Sequence, residues 1–139
     1  MDIPIHVHCH NDFGMATANS LTSIEGGAQC VDVSVNGLGE RSGIAPLSEV
    51  VTALKSLYKI EGKNWNLKML PRLTTNIEKI SNYNTKINQP IIGKNAFIHK
   101  AGLHTSSILK NPITYEPFPP EIINRKRKIQ INKFTGMSA

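Results

Sequence analysis

Residues 5–12 read IHVHCHND and hold His6, His8 and His10, three of the chain's five histidines. Histidine at every second position is the pattern of a strand, in which i, i+2 and i+4 share one face. His6, His8 and His10 then line one side, with Ile5, Val7 and Cys9 on the other. The strand reading covers residues 3–9. The next stretch, DFGMATANSLTSIEGGA, carries Ala16, Leu21, Ile24 and Ala28 on broadly helical spacing. Asn11 or Asp12 can cap its start and Gly26-Gly27 can end it. CVDVSV, residues 30–35, alternates apolar and polar as a second strand. NGLGERSG, residues 36–43, is a turn-rich loop. APLSEVVTALKSLYKI, residues 45–60, is a second helix with Leu47, Val50, Val51, Leu54, Leu57 and Tyr58 on one face.

The first 60 residues therefore run strand, helix, strand, helix. That order argues for an α/β fold with parallel strands joined by a helical crossover. Two parallel strands do not make an independent sheet, because parallel sheets are built from many strands and covered on both faces. The chain also opens within a strand, with Met1 two residues ahead of it. The expectation is a fragment whose remaining part lies N-terminal. Beyond residue 60 the character changes. EGKNWNLKM is polar and irregular, and PRLTTNIEKISNY reads as a third helix with Pro71 near its first turn. TKINQPIIGKN is a linker holding Pro90 and Gly93. AFIHKAGLHTSSILKN, residues 96–111, reads as a short broken helix. PITYEPFPPE has four prolines and must be extended or turning. RKRKIQI begins as a charge run and moves toward a strand.

Composition sets the outer limits. The 139 residues are 40% hydrophobic and 19% charged, values of a globular chain rather than a disordered one. No apolar run reaches the roughly 18–20 residues of a membrane span, and no secretory signal opens the chain. Two cysteines, Cys9 and Cys30, make no disulfide framework, so a reducing cytoplasm is expected. The net charge of +6 suits anionic partners such as phosphates, and equally a generally basic surface. No aromatic residues interleave the basic ones, so nucleic acid is not an expected partner, and the lack of a long apolar run argues against a membrane.

Two imidazoles at i and i+2 on one strand face can reach the same metal ion, and imidazole suits Zn²⁺ and several other divalent metals. A row of solvent-facing histidines would look alike in sequence. The position favours a site: the pair ends a strand, Asn11-Asp12 and a helix follow, and ligand sites in parallel α/β folds lie at that edge. NGLGERSG ends the second strand at the same edge. Its glycines permit close approach to a ligand, and Glu40 and Arg41 are expected to pair within the loop. A third cluster is His99, His104 and Tyr115. His99 and His104 stand at i and i+5, which does not put both on one helix face. An imidazole and a phenol held together can serve acid–base chemistry, and ordinary packing is the alternative. Arg125 to Lys128 is expected to be a solvated charge run.

HVHCHNDFGMATANSL, VNGLGERSG and GKNAFIHKAGLHTSSILKNPITYEPFPPE together resemble the homocitrate synthase and 2-isopropylmalate synthase family, in order and spacing over nearly the whole chain. The resemblance implies a fragment of a (β/α)8 TIM barrel. Residues 1–60 would be its last two strand–helix units, and residues 61–139 a linker and mainly helical C-terminal subdomains. It implies an acyltransferase that condenses acetyl-CoA, as co-substrate, with a 2-oxo acid and then hydrolyses the thioester. A divalent metal ion (Mg, Mn or Zn) would be held by His8 and His10, with an acidic ligand from a strand outside this chain. His6, Asn11, Asp12, Glu40 and Arg41 are the implied substrate-binding residues, and His104 and Tyr115 the catalytic pair. The implied enzyme is a homodimer whose active site is shared between subunits. Where isopropylmalate synthases have a metal-binding asparagine, this chain has Ile44, as in the homocitrate synthase branch. Against that, lysine-pathway homocitrate synthases often carry glutamate where His6 stands. 2-Oxoglutarate is the favoured substrate, with 2-oxoisovalerate the alternative. A stand-alone metal-binding or oligomerisation module is the reading from a different class.

Overall fold

A computed structural model describes residues 3–100 and 102–130. Met1, Ala101 within the expected broken helix and Ile131 at the end of the expected last strand lie outside the described residues. The elements run β1 (His6–Val7), α1 (Ala16–Glu25), β2 (Cys30–Val31), α2 (Leu47–Ser56), α3 (Leu70–Ser81), β3 (Ile98–His99), α4 (Gly102–Lys110) and β4 (Lys128–Ile129). Single-turn 3-10 segments stand at Val35–Gly37, Leu67–Met69, Pro112–Thr114 and Pro120–Ile123. The content is mixed α and β. Among the described residues no helix is long and apolar enough to cross a membrane.

β1 and β2 pair in parallel, His6 opposite Cys30 and Val7 opposite Val31, as the crossover order requires. The ladder is shorter than the expected strands 3–9 and 30–35. The pairing of the two segments ends where Asp32 N–H donates to the Val7 carbonyl, and Ser34 beyond it pairs with Pro46 instead. α1 begins at Ala16, four residues later than the expected start at Asp12. Residues 11–14 make a turn first, with Gly14 at φ 73° and its N–H donating to the Asn11 carbonyl. The Asn11 side chain still serves as a cap, accepting from the Ala16 N–H at 3.1 Å. Gly27, at φ 100°, ends the helix, and Ala28 N–H returns to the Ser23 carbonyl.

α2 is the wedge between two apolar clusters. Its Val50 and Leu54 join Ala16 and Ala45, with Cys9, Leu21, Ile24, Val31, Val33 and Tyr58 around them. Its Leu47 and Val51 lie against Leu67, Leu70, Ile92, Phe97, Phe118 and Ile123. Leu57 departs from the expected face and is 65% exposed, because the helix stops at Ser56 and the chain turns away through Lys59 at φ 58°. Pro71 sits in the first turn of α3 as expected, and Asn82, at φ 55°, ends that helix.

The expected broken helix over 96–111 divides. Ile98–His99 is a strand, paired in parallel with β4, and the helix follows it. The expected linker is not free either. Ile92 is buried in the second cluster, and Arg125 donates to the carbonyls of Ile92 (3.3 Å) and Gly93 (2.8 Å).

Ile123 has no exposed surface and closes the second cluster. Ile123→Ala should cost about 2–5 kcal/mol, read as a lowered urea midpoint, because the cavity cannot collapse between Phe97 and Phe118. Leu57→Ala should stay within about 0.5 kcal/mol. Equal shifts would mean that Ile123 is not core.

Candidate functional site

Alternation continues past β1 through residues 8–10. The rings of His8 and His10 lie together, centroids 5.0 Å apart and tilted by 58°. Cys9, between them, faces the opposite way into the Ala16–Ala45 cluster. His6 is exposed on the same strand. His8 Nδ1 is 3.0 Å from Asp32 Oδ2, two steps along the register from the His6–Cys30 pair. A carboxylate there favours the proton on Nδ1, which leaves the Nε2 lone pair free. His10 Nδ1 is buried with no hydrogen-bond partner. That leaves Nε2 as the nitrogen through which His10 could reach a ligand.

The loops after the two strands are tied at three points. His10 bridges Ile44, the Asn11 N–H donates to the Gly43 carbonyl at 2.9 Å, and Arg41 grips Asp12. That grip is two-pronged, Nε to Oδ1 and Nη2 to Oδ2, both at 3.0 Å. It corrects the expected Glu40–Arg41 pair. Arg41, at φ 55°, turns its guanidinium across to the first loop, whereas Glu40 is exposed and makes no side-chain hydrogen bond among the described residues. The guanidinium holds the Asp12 carboxyl below the usual carboxylate range, and Asp12 in turn raises Arg41. Glycine is required at Gly43, where φ is 83° and a Cβ would strike the Gly37 carbonyl. Between these loops and residues 83–89 lies a cleft of about 600 Å³, with Asn11, Asn36, Arg41, Ile44, Lys86 and Gln89 among its walls.

The two histidines of the third cluster have separate surroundings. His104 stands on the exposed side of α4, and its ring lies over Tyr115, centroids 4.1 Å apart and planes at 31°. Tyr115 follows the Pro112–Thr114 turn, which the Asn111 side chain opens by accepting from the Ile113 N–H. His99 instead points inward, its Nε2 3.1 Å from Glu116 Oε1, with side-chain exposures of 11% and 4%. Arg127 completes this ion cluster, Nε at 3.0 Å from Oε1 and Nη2 at 2.7 Å from Oε2 of Glu116. Arg127 and then His99 hold the Glu116 carboxyl below its ordinary range, against the desolvation that would raise it. The charge run 125–128 is thus half structural. Arg125 and Arg127 turn inward to partners, and Lys126 and Lys128 stay exposed.

Sequence reasoning missed Asp32, Glu116 and Arg127. Asp32 was findable, since a parallel register sets it opposite His8. Glu116 alternates with the buried Phe118 and Pro120, a signal that was there in an extended segment. For a divalent metal, His8 and His10 supply two nitrogen donors, one oriented by a carboxylate, which fits such an ion. Among the described residues no group of three or more ligating side chains is present.

Comparison with known proteins gives two family matches. Residues 1–77 match the HMGL-like family, and residues 91–139 match the homocitrate synthase post-HMGL domain-like family. A homocitrate synthase AksA of Methanopyrus kandleri is 45% identical over 139 residues, all of this chain and 35% of the relative. A probable 2-isopropylmalate synthase of the same organism is 47% identical over all of this chain and 28% of the relative. A homocitrate synthase of Pyrococcus abyssi is 46% identical over 96% of this chain and 37% of the relative. The chain thus spans about a third of the length of the curated relatives it matches.

A depressed carboxyl group stabilises the fold above its unfolded pKa and stops doing so as pH falls through the folded value. The Glu116 contribution should therefore begin to decline as pH falls below the ordinary glutamate range, about 4.3, and be gone only once the lowered folded value is passed. Urea midpoints at neutral and acid pH should fall less steeply with acid in Glu116→Gln than in the parent. Parallel losses would remove Glu116 from the acid response.

Proposed function

The chain belongs to the HMGL-like family, and on that premise we propose that it carries metal-binding and acid–base residues of a synthase that condenses acetyl-CoA with a 2-oxo acid. The observation that carries this reading is the His8–His10 pair, turned to one face at a strand end and oriented by Asp32. In this reading residues 1–60 are the last two strand–helix units of a (β/α)8 barrel, and residues 61–139 the linker and subdomains. The protein works in the cytoplasm as a homodimer.

His8 and His10 would hold a divalent ion (Mg, Mn or Zn), His8 through Nε2, the ring nitrogen that does not face Asp32. Such an ion, when bound, polarises the keto carbonyl of the 2-oxo acid. Arg41 spends Nε and Nη2 on Asp12, so its remaining N–H groups are free for a substrate carboxylate. His6, Asn11 and Glu40 surround the same edge, and the Asp12–Arg41 grip keeps the two loops at a fixed separation. His104 takes a proton from the acetyl methyl group, with Tyr115 against its ring. The methyl carbon then bonds to the keto carbon, whose oxygen gains a proton. Water finally cleaves the thioester and releases the thiol of CoA.

2-Oxoglutarate is the favoured 2-oxo acid, since Ile44 stands where the resemblance puts a metal-binding asparagine in the isopropylmalate branch and its side chain cannot ligate, although His6 stands where lysine-pathway homocitrate synthases often carry glutamate. 2-Oxoisovalerate is the second reading, supported by the similar identity to a probable 2-isopropylmalate synthase.

The test uses a protein of the relatives' length that carries this chain, assayed by thiol release from acetyl-CoA. 2-Oxoglutarate should be turned over faster than 2-oxoisovalerate. His104→Ala should lower kcat about 10²- to 10⁴-fold with little change in the KM for the 2-oxo acid. A rise in KM alone would reject His104 as the base. If the site is shared across a dimer, mixing inactive His8→Ala and His104→Ala proteins should restore activity. Random exchange gives about half heterodimers, each with one intact site, so roughly a quarter of parental activity should return. Demonstrated exchange without recovery would put both histidines in one subunit's site.

A further inference from the structure

The stack of His104 on Tyr115 is not self-supporting. His104 is exposed and Tyr115 is 39% exposed, so water competes for both rings. Their separation must come from the backbone segments that carry them. Both segments lead to one carboxylate. Glu116 follows Tyr115 directly and is buried, and its own N–H is held by the Pro112 carbonyl at 3.0 Å. Its Oε1 meets His99, on β3 and three residues ahead of the start of α4, the helix that carries His104. Its remaining contacts go to Arg127, just ahead of β4, which pairs with β3. The Glu116 side chain thus ties the residue next to Tyr115 to the lead into α4 and to the lead into β4.

We propose that Glu116 is a positioning residue: its bridge from His99 to Arg127 sets Tyr115 against His104. The role of the two rings in catalysis rests on the function proposed above, but the positioning itself does not. A carboxylate is needed because it accepts from His99 and from two nitrogens of Arg127 at once, and Arg127 presents those nitrogens in a planar fork. An amide at position 116 keeps the size and loses the charge, so the fork loosens and Tyr115 can swing from the imidazole.

The stack has a direct spectroscopic signature. In the NMR spectrum of the chain, the His104 ring protons should be displaced upfield by the Tyr115 ring, and Tyr115→Leu should abolish that displacement. Glu116→Gln should remove most of it while the amide spectrum stays that of a folded protein. Full displacement in folded Glu116→Gln overturns the proposal. If that variant does not fold, Arg127→Lys decides, since it keeps the charge and loses the fork. Reduced displacement then supports the proposal, and unchanged displacement overturns it. Loss of fold in both variants assigns Glu116 to stability and overturns it as well. In a protein of the relatives' length, Glu116→Gln should lower kcat and leave the KM for the 2-oxo acid unchanged. A lost stack with undiminished kcat would uphold the positioning role and reject the acid–base reading of His104 and Tyr115.

Discussion

Helix α2 is buried on two sides, and most of the remaining structure takes its place from that constraint. Val50 and Leu54 face the cluster that holds α1 and the first strand pair, while Leu47 and Val51 face the cluster of α3, β3 and the proline-rich turns. Few helices of ten residues serve two cores, and this one does so because its apolar stripe is wide. Glu49, between the two faces, adds a polar tie. Its carboxylate accepts from Thr17 on α1 at 2.6 Å and from Gln89 at 2.7 Å, so one side chain joins three segments. The loop 36–46 enters α2 directly, and its grip on Asn11 and Asp12 is set by where that helix begins.

Periodicity carried the first half of the chain. The alternation of IHVHCH predicted which faces Cys9, His8 and His10 take, the apolar spacing of α1 and α2 placed two helices, and Pro71 marked the first turn of α3. Boundaries were less legible. The start of α1 depended on a turn with Gly14 at positive φ, which no apolar pattern encodes, and the exposure of Leu57 depended on where the chain leaves α2. In the second half, the strand at Ile98–His99 was hidden because two residues carry no period. It exists through its partner at Lys128–Ile129, thirty residues away in sequence.

Charge pairing was the least legible level. Glu40 and Arg41 are adjacent, and adjacency suggested a pair. The left-handed backbone at Arg41 sends its guanidinium to Asp12 instead, 29 residues back. Arg125 and Arg127 sit in what looks like a solvated run, yet each finds a fixed acceptor, because alternate side chains of an extended segment face inward. A sequence states which charges exist, and the fold decides which of them lose their water.

The two histidines of HKAGLH show how that decision separates roles. Both are five-membered bases with the same intrinsic chemistry, and sequence spacing alone could assign acid–base work to either. His99 is surrounded by a carboxylate already claimed by a guanidinium, in a setting with little solvent. A base must meet its substrate within hydrogen-bond reach, and an imidazole committed to a buried ion cluster has no such access. His104 is exposed, and its ring lies over a phenol. The buried imidazole is therefore suited to hold the scaffold and the open one to exchange a proton. Their five-residue separation lets β3 end and α4 begin between them, so one short motif places one imidazole in a buried ion cluster and leaves the other open.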